Sequence, residues 1–150
     1  MAWKDDRVQE GTARARLDGE SRERFVALRR QLGVSSFGIN QLVLQPGQRG
    51  RIHRHERQEE VYLVLEGRLT LIVDGEQIEL SEGELIRVAP RLRRQLVNRG
   101  PRRLVLIALG GEGDHHGRDG VAYSSWSEQH GAPPQEVPLP ADLDAAEIQD

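Results

Sequence analysis

Apolar residues along this chain come in short runs broken every few positions by turn formers. The runs fall at Val34 to Leu44 and at about 51–55, 59–66, 68–73, 76–80, 84–88, 94–98 and 103–109. Runs of this length with dense turn signals between them predict strands of an all-β barrel or sandwich. Gln45-Pro46-Gly47, Asp74-Gly75 and Gly100-Pro101 mark turns. Asp-Gly suits a tight hairpin, because both central residues need positive φ. The gaps are too short for crossover helices, which argues against a parallel α/β sheet. Ahead of the strands, SRERFVALRRQLG places Phe25, Leu28 and Leu32 at i, i+3 and i+7. This spacing predicts a short amphipathic helix stopped by Gly33, with a strand through FVAL as the other option.

A strand with one wet face alternates polar and apolar residues, yet VYLVL, LIV and LVLIAL are apolar on both faces. Their outer faces need a cover. The chain offers its N-terminal segment and its tail, and a second copy is the third candidate, so a homodimer packed through sheet faces is expected.

Composition narrows the function classes. With 150 residues, 37% hydrophobic content and a net charge of -3, the chain suits one globular domain. It has no cysteine, which excludes disulfides, thiolate metal sites and thiol nucleophiles. MAWKDDRVQEG lacks the apolar core of a signal peptide, and no apolar segment is long enough to span a bilayer, so a cytoplasmic location without membrane contact is expected. Seven arginines fall between Arg87 and Arg103. Aromatics at 4% and an acidic balance argue against nucleic acid as a partner, and neighbouring acids such as Glu82 and Glu84 are available to pair with the arginines. Residues 1–20 read as a polar arm lying on the barrel or partly disordered. The tail begins GGEGDHHGRDG and ends in a proline-rich stretch, with AYSSW between them placed to dock two aromatics. His115 and His116 are adjacent and on a strand would face opposite ways, so they could not both ligate one metal from one side; they read as solvated loop residues, with a supplementary ligand closing over the barrel mouth as the alternative, and His130 reads as a loop residue too.

The candidate chemistry lies in GQRGRIHRHERQEEVYLVLEG, Gly47 to Gly67. Strand residues i and i+2 share a face, so His53 and His55 present two imidazoles side by side. Either Glu59 or Glu60, arriving on the following strand, completes a 2-His-1-carboxylate face able to hold a divalent ion.

This stretch resembles the first motif of the cupin superfamily: Gly47, five residues, His53-x-His55, four residues, Glu60, six residues, Gly67. Gly83, Pro90 and Asn98 fall in register with the second motif. The resemblance covers about residues 34–110. It implies a cupin-type double-stranded β-helix, a jelly-roll barrel, with 1–33 as N-terminal arm and short helix and 111–150 as an irregular tail. It also implies metal ligation by His53, His55 and Glu60, with Fe, Mn, Zn or Ni as candidates. Arg94 stands where the family has its fourth ligand, a histidine, and Arg91 where it usually has glycine.

A guanidinium stays protonated and cannot ligate a metal. A 2+ ion about 5 Å from it at an effective dielectric of 20 is repelled by about 7 kcal/mol. Three outcomes follow for Arg94: it pairs with Glu60 in a metal-free pocket, holds a substrate anion beside a three-ligand metal, or turns outward. Tyr62, two residues past Glu60, either lines the pocket with a phenol or joins the core. The reading that results is a small-ligand-binding protein with a divalent-metal site, its ligand anionic if Arg94 reaches it. The alternative is a non-haem metal-dependent enzyme, a dioxygenase, isomerase or decarboxylase, acting on a small organic acid or sugar derivative.

Overall fold

A computed structural model describes residues 11–111 and 119–149; His115 and His116 lie outside the described residues. Among the described residues there are ten strands: β1 Phe25–Ala27, β2 Gly38–Leu44, β3 Ile52–His55, β4 Glu59–Glu66, β5 Leu69–Val73, β6 Glu76–Leu80, β7 Leu85–Val88, β8 Arg94–Val97, β9 Leu104–Gly111 and β10 Gly120–Tyr123. They form two five-stranded antiparallel sheets, ordered β1-β2-β9-β4-β7 and β10-β3-β8-β5-β6. The architecture is the expected all-β jelly-roll barrel.

Alternation decides what fills it. Leu44, Val64, Leu69, Leu71, Leu104 and Leu106 project between the sheets with at most 1% of their surface exposed, each contributing about 1.5–3 kcal/mol by leaving water. The Asp74-Gly75 turn has both residues at positive φ, 48° and 79°, as the dipeptide predicts. Asn98 is fully buried. Its Nδ2 donates to the carbonyls of Leu44 and Arg102, and its Oδ1 accepts from the Gly100 N–H. One amide therefore fixes the turn between β8 and β9.

The expected short helix is present and stops at Gly33, but it is confined to its last turn, and the residues ahead of it take the other expected option, a strand. Phe25 to Ala27 pair with Asn40 to Leu42 as β1, and helix α1 covers only Leu28–Leu32, ending at Gly33 with φ 70°. Edge pairing with β2 wins over the i, i+3, i+7 spacing, because five residues of helix cannot pay for nucleation alone. Phe25 is left 56% exposed.

The outer face of the first sheet is covered in part by the chain itself. Asp18 and Gln41 exchange two hydrogen bonds, from Asp18 N–H to Oε1 (2.6 Å) and from Nε2 to the Asp18 carbonyl (2.8 Å). Gly19 lies against Val105. Val43, Val105 and Ile107 are buried on that side, whereas Leu65 and Leu85, on β4 and its edge neighbour β7, are 39% and 61% exposed.

The tail is less irregular than its composition suggests. Gly120 to Tyr123 form β10 and pair with β3, placing Gly120 opposite His55 and Ala122 opposite His53. Residues 133–149 then run along the barrel, accepting from Arg51 Nε at the Val137 carbonyl and from Arg49 at the Ala141 carbonyl, and donating from Leu143 N–H to the Gly47 carbonyl. Of the two aromatics in AYSSW, Tyr123 docks, with Arg93 3.6 Å over its ring, while Trp126 remains 38% exposed. No helix among the described residues is long and apolar enough to cross a membrane.

Candidate metal centre

Strand β3 delivers His53 and His55 to the barrel interior from alternate positions, and β4 delivers Glu60 beside them. The imidazoles stand edge to face, 5.3 Å between centroids. Glu60 Oε1 lies 3.1 Å from His55 Nε2 and 3.5 Å from His53 Nε2, and one ligand atom from each of the three residues falls within 4.8 Å of the others. With metal bonds of about 2.1 Å, adjacent ligand atoms stand about 3.0–3.4 Å apart, close to the two Glu60–histidine separations. Glu59, the other carboxylate open from sequence, instead meets Arg87 Nε at 2.6 Å on the outside.

The donor chemistry fits a cation. His53 Nδ1 lies 3.0 Å from the Arg51 carbonyl, which can only accept, so Nδ1 carries a proton and Nε2 is left either to donate to Glu60 from the cationic ring or, in the neutral ring, to offer its lone pair to a metal. His55 Nδ1 is buried without a hydrogen-bond partner, and its buried Nε2 faces Glu60 Oε1 at 3.1 Å. Burial works to raise the Glu60 pKa, but His53 and His55 outweigh it and hold the carboxyl well below its usual range. It is therefore an anionic oxygen at neutral pH. A divalent ion held by His53, His55 and Glu60 would supply Lewis acidity there.

Arg94 faces inward and is fully buried. Its Nη2 donates to Glu60 Oε1 (3.1 Å), its Nε to the Tyr62 hydroxyl (3.3 Å), and its Nη1 towards the carbonyls of Ala89, Pro90 and Leu92 at 3.4, 3.0 and 2.5 Å. Of the three outcomes open from sequence, this is the pairing with Glu60. The guanidinium does not turn outward, and its forks are filled by protein oxygens. Tyr62, 1% exposed, donates its own O–H to Glu60 Oε1 at 2.5 Å. Burial, reinforced by the neighbouring Glu60 charge, lifts the Tyr62 phenol well above its ordinary 10.0. Position 94, where the resemblance implies a fourth ligand, thus holds a built-in cation that contacts the same Glu60 oxygen as the histidines.

The other arginines of the cluster disperse. Arg87 pairs with Glu59, Arg91 with Glu56 and Arg103 with Glu66, while Arg93 donates to the Glu128 carbonyl. Glu82 and Glu84 accept from backbone N–H groups of Gly67 and Ser81 instead of pairing with arginine.

Sequence reasoning missed Asp119. Its carboxylate accepts from the backbone N–H groups of Glu56, Arg57 and Gln58, fastening the turn between the histidine strand and the glutamate strand, and its Oδ1 lies 4.0 Å from His55 Nδ1. Burial opposes its ionisation, and these three donors with His55 outweigh it, so the carboxyl titrates below its ordinary value. The short run GVAY after a glycine-rich loop was the available signal.

Residues 40–110 match the family model of the Cupin domain. Together with two antiparallel sheets and the histidine pair on β3, that match makes the barrel a cupin-type domain. A cupin protein from Bacteroides fragilis superposes with a TM-score of 0.59 over 69% of this chain and 86% of that one, at 21% identity, a likeness of fold. A sugar phosphate isomerase from a cupin superfamily, from Silicibacter pomeroyi, is 26% identical, with a TM-score of 0.56 over 79% of this chain and 81% of that one. An uncharacterized protein from Methanocaldococcus jannaschii is 30% identical over 62 residues, 41% of this chain; the chain spans half the length of that curated relative.

Proposed function

We propose that this protein is a small-ligand-binding cupin whose barrel mouth holds a divalent ion, Fe, Mn, Zn or Ni, on His53, His55 and Glu60. The observation that carries the reading is the convergence of three ligand atoms, one from each residue, within 4.8 Å of one another. Arg94 and Tyr62 serve the ligand through Glu60, whose Oε1 they fix. An anionic ligand is drawn to the open positions of the ion itself.

The similarity to the sugar phosphate isomerase favours a second reading, a metal-dependent isomerase acting on a sugar derivative. Elemental analysis of untagged protein after titration with Mn²⁺, Fe²⁺ and Zn²⁺ tests the metal. Stoichiometric binding that is lost in His53→Ala and Glu60→Gln supports the site; metal content unchanged in both variants overturns it. Isomerisation of sugar phosphates by the loaded protein then separates enzyme from binding module.

Leu63, Leu65 and Leu85 leave an apolar strip at the β4–β7 edge of the first sheet, and in this reading a second copy covers it.

A further inference from the structure

We propose that Asp119, carried by the C-terminal segment, is a positioning residue for His55 within this metal centre, and that the tail is therefore part of the site. The inference rests on the metal reading above.

The geometry is specific. Once a cation takes the Nε2 lone pair of a neutral imidazole, the ring proton must reside on Nδ1. His55 Nδ1 is buried and has no hydrogen-bond partner, and the carboxylate facing it is Asp119, with Oδ1 at 4.0 Å. That separation is longer than a hydrogen bond, so the carboxylate acts on the ring through its charge and is close enough to accept the Nδ1–H after a shift of about an ångström. A carboxylate behind a ligating histidine fixes its tautomer and raises its basicity, and removing such a partner weakens metal binding about 10–100-fold.

Asp119 is well placed to hold still while doing this. Its side chain is 7% exposed. Three backbone N–H donors fix both oxygens, at 2.5 Å from Glu56, 3.0 Å from Arg57 and 2.6 Å from Gln58. The next residue, Gly120, is the register partner of His55. A side chain at Gly120 would press on Pro134 and approach the His55 ring, so β10 lies close against β3 at this point. The same carboxylate thereby anchors the turn that leads into Glu60 and backs the histidine that precedes it.

The experiment titrates Zn²⁺ into wild type, Asp119→Asn and Asp119→Glu, and records the histidine ring ¹⁵N–¹H correlations of the loaded proteins. The expected result is about 10–100-fold weaker Zn²⁺ binding in Asp119→Asn. It comes with a shifted or exchange-broadened His55 Nδ1–H signal, an unchanged His53 signal, and partial recovery in Asp119→Glu. Zn²⁺ affinity within twofold of wild type, or an unaltered His55 Nδ1–H signal, overturns the positioning role while leaving the metal site standing. A role confined to the turn would shift the Glu56 to Gln58 amides and lower the melting temperature without moving the His55 ring signals, and that outcome also overturns it. If the wild-type protein takes up no Zn²⁺, the metal reading itself fails and the inference with it.

Discussion

Arg94 Nη2 and Glu60 Oε1 are 3.1 Å apart, and the guanidinium that makes this contact is wholly removed from solvent. The pairing sits where a fourth metal-binding side chain is expected, so the charge that would repel a cation is spent on the carboxylate that attracts it. Two variants separate these effects.

Arg94→Met removes one partner of a buried ion pair and leaves Glu60 and three carbonyls without their donor. Such losses cost about 3–5 kcal/mol, which for a chain of this size lowers the melting temperature by roughly 10 °C. Arg94→His also costs stability in the metal-free protein, but it supplies a neutral nitrogen and removes the repulsion, so Mn²⁺ affinity measured by calorimetry is expected to rise. An unchanged affinity would mean that the ion sits beyond the reach of position 94.

Tyr62→Phe deletes a hydroxyl that donates to Glu60 and accepts from Arg94. Leaving the Arg94 Nε–H unmatched costs about 1–3 kcal/mol, readable by urea unfolding. The phenol also carries a pH signature. Its folded pKa is raised above the ordinary 10.0, so the unfolded chain loses this proton first as pH rises. The contribution of Tyr62 is fully present below about pH 10 and is lost as pH climbs through the folded value. Wild type is therefore expected to lose stability faster than Tyr62→Phe above pH 10. Parallel alkaline curves for the two proteins would contradict it.

Two glycines at nearly equal positive φ make an internal comparison. Gly67, φ 83°, would drive an added Cβ into the Arg103 carbonyl, whereas Gly75, φ 79°, has nothing within 4 Å. Gly75→Ala is expected to lose only the left-handed backbone term, about 1–2 kcal/mol. Gly67→Ala loses that and must also displace the start of β9. Equal unfolding midpoints for the two variants would show that the close approach is relieved at no cost.

Leu85 tests the second copy. At 61% exposure, opposite Leu63 in register, it is the most accessible apolar side chain on the uncovered strip. Light scattering of wild type should give twice the 16.9 kDa chain mass, and Leu85→Glu should give the single mass with the far-ultraviolet spectrum unchanged. A monomeric wild type at micromolar concentration removes the dimer.

What could be read from the sequence follows from how local each feature is. Strands from 51 to 109 were legible because alternation and turn dipeptides are written in neighbouring residues, as at Asp74-Gly75. That His53 and His55 share a face was legible from strand alternation, whereas the choice of Glu60 over Glu59 came from the resemblance, because the strand that carries it lies in the other sheet. The state of Arg94 was not legible, since its partners come from two separate segments, Glu60 and Tyr62 on β4 and Ala89, Pro90 and Leu92 in the loop before β8. The apolar runs asked for a cover without saying which, and Asp18 with Gly19 answers for Val105 while Leu85 stays 61% exposed among the described residues. β10 was missed because four residues amid glycines and prolines carry too little periodicity, and its strand character comes from an edge of β3 some 65 positions earlier, the separation of Gly120 from His55.

The match to the cupin model stops at residue 110, yet β10 begins at Gly120 and hydrogen-bonds to the strand that carries both histidines. Anyone trimming this protein to its recognised boundaries for expression, or splicing a reporter after residue 110, would strip the outer neighbour from β3, remove Asp119, and expose a raw sheet edge open to pairing with other molecules. The smallest piece worth making extends through the tail.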